Sequence, residues 1–98
     1  MVRHILLIKL KSSVSTVQLK ELRERFYQLQ DKIDGINNIE WGLNNNQEDK
    51  NQGYTHAVVM TFIDVFARDN YLRNPEHEMF KFYFEPLLED IIVFDYQI

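Results

Sequence analysis

The sequence predicts an α+β domain built in the order strand, helix, strand, strand, helix, strand, and three observations predict it. Short stretches rich in aliphatic and β-branched residues open and close the chain. One long stretch instead repeats its apolar residues every three or four positions, the period of a helix. Glycine and proline number only three and two, so each break they make can be read individually.

Residues 2 to 10 read as the first strand, with His4, Leu6, Ile8 and Leu10 on one face and Arg3, Ile5, Leu7 and Lys9 on the other. Ser15 and Gln18 resemble a capping box, after which Leu19, Leu22, Phe26, Leu29 and Ile33 form the apolar stripe of a long helix ending near Gly35. The second strand spans about Ile36 to Leu43. Asn44 to Gln52 is an unbroken polar run closed by Gly53, which predicts a loop. Tyr54 to Phe62 alternates between two largely apolar faces and reads as the third strand. Asp64 is placed to cap a short helix reaching Leu72. Asn74 is a good N-cap and Pro75 suits the first position of the next helix, which carries Met79, Phe80, Tyr83 and Phe84 before Pro86, which should kink or end it. Residues 91 to 97 form the last strand. This is the ferredoxin-like βαββαβ pattern, and right-handed crossovers put the first strand between the third and the fourth.

A chain of 98 residues holds one core, so residues 1 to 98 are read as a single domain. Hydrophobic residues at 45% and aromatics at 13% exclude a disordered tail. Cysteine is absent, which excludes disulfide scaffolds, thiolate metal sites and thiol nucleophiles. A net charge of −4, with lysines and arginines interleaved with acids, argues against a nucleic-acid or anionic-membrane surface. Ile5 to Ile8 is too short for a signal-peptide core, and no apolar run approaches a membrane span, so a soluble cytoplasmic protein is expected.

The helices can cover only one face of the sheet. Ile5 to Ile8 and Ile91 to Phe94 are apolar without alternation, so the other face is apolar as well and needs a cover. A homodimer supplies it, two sheets closing into an α/β barrel with an internal pocket for a small molecule.

The chemistry-bearing stretch runs from Tyr71 to His77. The Asn74-Pro75 start places His77 in the first turn of a helix, where the dipole disfavours a cation and favours a neutral imidazole. With the Tyr71 phenol nearby, the two can form a cofactor-free acid/base pair. His4 begins the first strand, which antiparallel pairing sets against the end of the last, where Asp95 can fix the tautomer of His4. His56 is expected to be a hydrogen-bonded structural residue, and Trp41 part of the core or of a dimer interface. No histidines are spaced as a helical HxxxH or a strand HxH pair, so no catalytic metal is expected, and an acid/base pair of this kind calls for no organic cofactor.

These residues resemble the stress-responsive A/B barrel domain family, the Dabb family of dimeric α/β barrels, over nearly the whole chain. The matching pieces are Val2-Arg3-His4-Ile5-Leu6, Trp41-Gly42, Gly53-Tyr54-Thr55-His56, Tyr71 with Asn74-Pro75-Glu76-His77, and Phe94-Asp95-Tyr96. The family includes plant heat-stable proteins and a plant polyketide cyclase that makes olivetolic acid by an intramolecular aldol condensation without metal or organic cofactor. The resemblance implies that His4, Tyr71 and His77 occupy that cyclase's acid/base positions. Asn74 stands where it has another histidine, and Phe26 with Tyr27 stands where it shapes its alkyl pocket.

The expected function is therefore a homodimeric barrel that binds a small, largely apolar molecule and performs cofactor-free acid/base chemistry on it, such as polyketide aldol cyclisation. His77 is the expected base, Tyr71 the oxyanion donor, and His4 a third group oriented by Asp95. The alternatives are a non-catalytic stress-response or binding barrel and a cofactor-free monooxygenase. An open cavity reaching His77 and Tyr71 favours catalysis; a barrel filled by side chains favours the non-catalytic protein.

Overall fold

A computed structural model describes residues 1 to 98 and holds the elements β1 (Val2–Leu10), α1 (Thr16–Lys32), β2 (Ile36–Leu43), β3 (His56–Phe62), α2 (Val65–Arg73), α3 (Pro75–Phe84) and β4 (Leu88–Gln97). The four strands form one antiparallel sheet in the order β2-β3-β1-β4, the topology the crossover rule requires. The fold is the ferredoxin-like α+β arrangement.

Local chemistry sets the helix starts. Ser15 Oγ accepts from the Gln18 amide at 3.1 Å while Gln18 Oε1 accepts from the Ser15 amide at 2.9 Å, a closed capping box. Asp64 Oδ1 accepts from the Ala67 amide at 2.8 Å and Asn74 Oδ1 from the Glu76 amide at 2.9 Å. Of the two outcomes open at Pro86, a kink or an end, the structure shows the end: α3 stops at Phe84 and the chain continues through a single 3₁₀ turn, Glu85–Leu87. Strand β4 begins at Leu88, three residues earlier than its apolar run suggests. Leu88 pairs with Leu10 and Asp90 with Lys9 across a register shift that leaves Glu89 unpaired between them, so this polar stretch still belongs to the strand. Strand β3 begins at His56, because the Tyr54 amide bonds back to the Asn51 carbonyl and belongs to the loop.

The core lies between one sheet face and the helices. Val2, His4, Leu6 and Ile8 of β1 are buried there, beside Val58, Met60 and Phe62 of β3. Helix α1 adds Leu22, Phe26 and Leu29; α2 adds Tyr71; α3 adds Phe80 and Phe84. Each large apolar side chain buried this way stabilises the fold by about 1.5–3 kcal/mol. The opposite face carries Ile5, Leu7, Val59, Ile92, Phe94 and Tyr96 with no helix over it. Phe94 is 61% exposed there. No helix is long and apolar enough to cross a membrane.

Candidate active site

Alternation along β1 turns His4 toward the helices, in phase with Leu6 and Ile8. Its antiparallel partner on β4 is Asp95, whose Oδ1 lies 2.7 Å from His4 Nδ1. The other oxygen, Oδ2, accepts from Arg68 Nη1 at 2.9 Å, and Arg68 Nε donates to Asp69 at 2.8 Å. Tyr71 projects inward from α2, three residues beyond Arg68, and is 1% exposed. His77 comes from the first turn of α3. The Tyr71 ring stands between the two imidazoles, its centroid 4.1 Å from that of His77 and 5.9 Å from that of His4. The four residues singled out from the sequence thus meet at one place.

A cavity of about 260 Å³ opens there, between α3 on one side and strands β1 and β4 on the other. His4, Tyr71 and His77 line it, and the rest of the wall is chiefly apolar, including Leu6, Phe80 and Val93. This differs from a pocket enclosed between two sheets. Because His4 shares its phase with the buried residues of β1, the site sits beneath the helices of a single chain, and the bare sheet face lies behind it. A larger hollow of about 530 Å³ lies under the asparagine-rich loop and contains none of the four residues.

Burial pushes the His77 pKa below the ordinary 6.5, with the Lys81 charge helping; the Leu72 carbonyl and Glu78 pull the other way and lose. The helix start predicts the same direction, but burial is the larger cause. His77 Nδ1 is buried with no hydrogen-bond partner. Burial also pushes the Tyr71 phenol well above its ordinary value of 10, so it keeps its proton at neutral pH and can donate it in a hydrogen bond.

His56 is satisfied structurally: its Nδ1 lies 2.7 Å from Thr55 Oγ1, and its ring packs 5.1 Å from Trp41. Trp41 itself packs against Phe26 at 6.1 Å and belongs to the covered side. Phe26 is fully buried against Phe80 and Phe84, at 4.6 and 5.1 Å. No group of three or more His, Asp and Glu side chains is arranged to hold a metal ion. Three residues of the neighbourhood escaped the sequence reading. Arg68 is one, although its place three residues before Tyr71 puts both on one helix face. Lys81 and Glu85, on the cavity wall, are the others; Lys81 follows His77 by four residues and pairs with Glu78 at 2.9 Å.

The family model of the stress responsive A/B barrel domain matches residues 2–98. Olivetolic acid cyclase of Cannabis sativa is 30% identical over 95 residues, covering 97% of this chain and 94% of that protein. The structure of the hydroxynitrile lyase from Passiflora edulis superposes with a TM-score of 0.93 at 31% identity, over 99% of this chain and 92% of that one. A dimeric protein of ferredoxin-like fold from Bacteroides fragilis superposes at 0.74 with 27% identity, covering 99% and 95% of the two chains.

Proposed function

This chain belongs to the stress responsive A/B barrel domain family, and from that premise we propose that it is a homodimer whose protomers each bind a small, largely apolar molecule and carry out cofactor-free acid/base chemistry on it, with aldol cyclisation of a short polyketide as the reaction class. The observation that carries this reading is the cavity that brings two imidazoles and one phenol onto an otherwise apolar wall. A cavity of about 260 Å³ suits a small ligand, being just below the usual range of drug-sized pockets.

In the cyclisation, neutral His77 removes an acidic proton from the carbon between two carbonyls. That carbon attacks a distal ketone, forming the ring bond, and the ketone oxygen gains the negative charge. Tyr71 donates a hydrogen bond to this oxygen as the charge develops. The proton on His77 then returns to the alkoxide, and loss of water completes the condensation. His4, tied to Asp95 through Nδ1, leaves Nε2 to hold a substrate or water proton. Cleavage of a hydroxynitrile draws on the same equipment: a base takes the hydroxyl proton, the C–CN bond breaks as the carbonyl forms, and a donor stabilises the departing cyanide, which takes up the proton and leaves as HCN. The likeness to the Passiflora enzyme makes it the second reading.

The test follows cyclisation of a linear poly-β-keto thioester by mass spectrometry, with release of aldehyde from an aromatic cyanohydrin as the parallel probe. His77→Ala is expected to lose roughly 10²- to 10⁴-fold in turnover and Tyr71→Phe roughly 10²- to 10³-fold, both remaining folded. Wild type no faster than buffer on both probes would overturn the catalytic reading in favour of a binding protein. Normal turnover by His77→Ala would remove His77 from the role of base.

A further inference from the structure

We propose that Arg68 is a positioning residue of this site: acting through Asp95, it fixes which ring nitrogen of His4 carries the proton. Its kinetic consequence rests on the acid/base reading above; its geometric content does not.

Asp95 sits on β4, an edge strand bonded only to β1. A carboxylate held by one contact can turn about its last torsion, offering either oxygen to the ring or neither. Here both oxygens are engaged, Oδ1 by His4 Nδ1 at 2.7 Å and Oδ2 by Arg68 Nη1 at 2.9 Å, so the plane of the carboxylate is set by two elements at once. The guanidinium is itself oriented, because its Nε donates to Asp69 Oδ1 at 2.8 Å. The side chains of Arg68 and Asp95 are only 21% and 25% exposed, which leaves their attraction partly unscreened.

An ionised carboxylate only accepts hydrogen bonds, and a guanidinium only donates them. With Oδ2 engaged by Arg68, the carboxylate presents Oδ1 to the ring as an acceptor, so the His4 nitrogen facing it must be the one bearing hydrogen. That makes His4 the Nδ1–H tautomer and leaves the Nε2 lone pair on a ring that lines the cavity. Arg68 and Tyr71 are three residues apart on α2, so one helix delivers both this anchor and the phenol. A purely structural Arg68, pinning α2 to β4, would leave the tautomer of His4 unchanged when removed.

Long-range ¹H–¹⁵N NMR on the full chain, labelled at histidine, reads the tautomer directly. The wild type is expected to show His4 as Nδ1–H, Arg68→Leu to shift it toward the mixture of a free imidazole, and Arg68→Lys, which keeps a charge but not the fork, to retain most of it. Turnover should fall roughly 10- to 100-fold in Arg68→Leu, the usual effect of losing a group that orients a functional side chain, and recover in part in Arg68→Lys. A wild-type His4 found as Nε2–H would overturn the proposal without any variant, which covers the case where Arg68→Leu fails to fold. An unchanged tautomer in a folded Arg68→Leu would overturn it equally. If the tautomer shifts as expected and the wild type turns over neither probe, the positioning role stands and the catalytic reading falls.

Discussion

Burial, more than the helix start, decides how tightly His77 holds a proton. Its folded pKa lies below the ordinary 6.5, so between those two values the unfolded chain binds the more protons. Stability is therefore full above pH 6.5 and is lost as pH falls from there through the folded value. An NMR titration of His77 is expected to give an apparent pKa below 6.5, and His77→Gln to flatten the acid side of a melting-temperature profile. Some slope should remain, because burial lowers the pKa of His56 in the same direction. A His77 value above 6.5 would mean that the Leu72 carbonyl and Glu78 outweigh burial. The direction could be read from Asn74-Pro75, which fix the helix start. The cause could not, since it arises from packing of the ring beneath Tyr71 in three dimensions. Arg68 was hidden for a similar reason: its partner Asp95 is 27 residues away and meets it only through the fold.

At the scale of elements, the turn from α1 to β2 is the tightest joint. Gly35 has a φ of +89°, and a Cβ placed on it would stand 2.5 Å from the Ala67 Cβ of α2. Gly35→Ala is expected to cost roughly 1–3 kcal/mol in backbone strain and a similar amount in overpacking, read from denaturant midpoints. A loss below about 0.5 kcal/mol would show that α2 yields freely at this contact. The elements themselves were largely legible, because a local signal marks each helix start: Ser15 with Gln18, Asp64, and Asn74 with Pro75. The start of β4 was not. Leu88 and Asp90 join the sheet by pairing with Leu10 and Lys9 of β1, more than seventy residues away, with Glu89 unpaired between them, and nothing in the composition of this stretch says so.

For the whole molecule, the bare sheet face predicts association. Leu7, Ile92, Phe94 and Tyr96 are all exposed on it, and a dimer of standard size would bury roughly 800 Å² per subunit. Light scattering is expected to give twice the 11.8 kDa chain mass, and Phe94→Asp to give a folded monomer. A wild-type monomer at micromolar concentration would remove the barrel. That both sheet faces are apolar was visible in the sequence; which of them holds the cavity was not, because β1 shows its alternation without showing which side the helices take. His4 pairs with Asp95, and the very next residue, Ile5, pairs with Phe94 on the opposite face. Neighbouring letters of one strand therefore govern separate traits. Descendants of this sequence can drift in what they bind and in how they associate through independent point changes at alternate positions. A one-residue insertion or deletion within β1 has no such freedom, for it exchanges the two faces wholesale and alters both inheritances together.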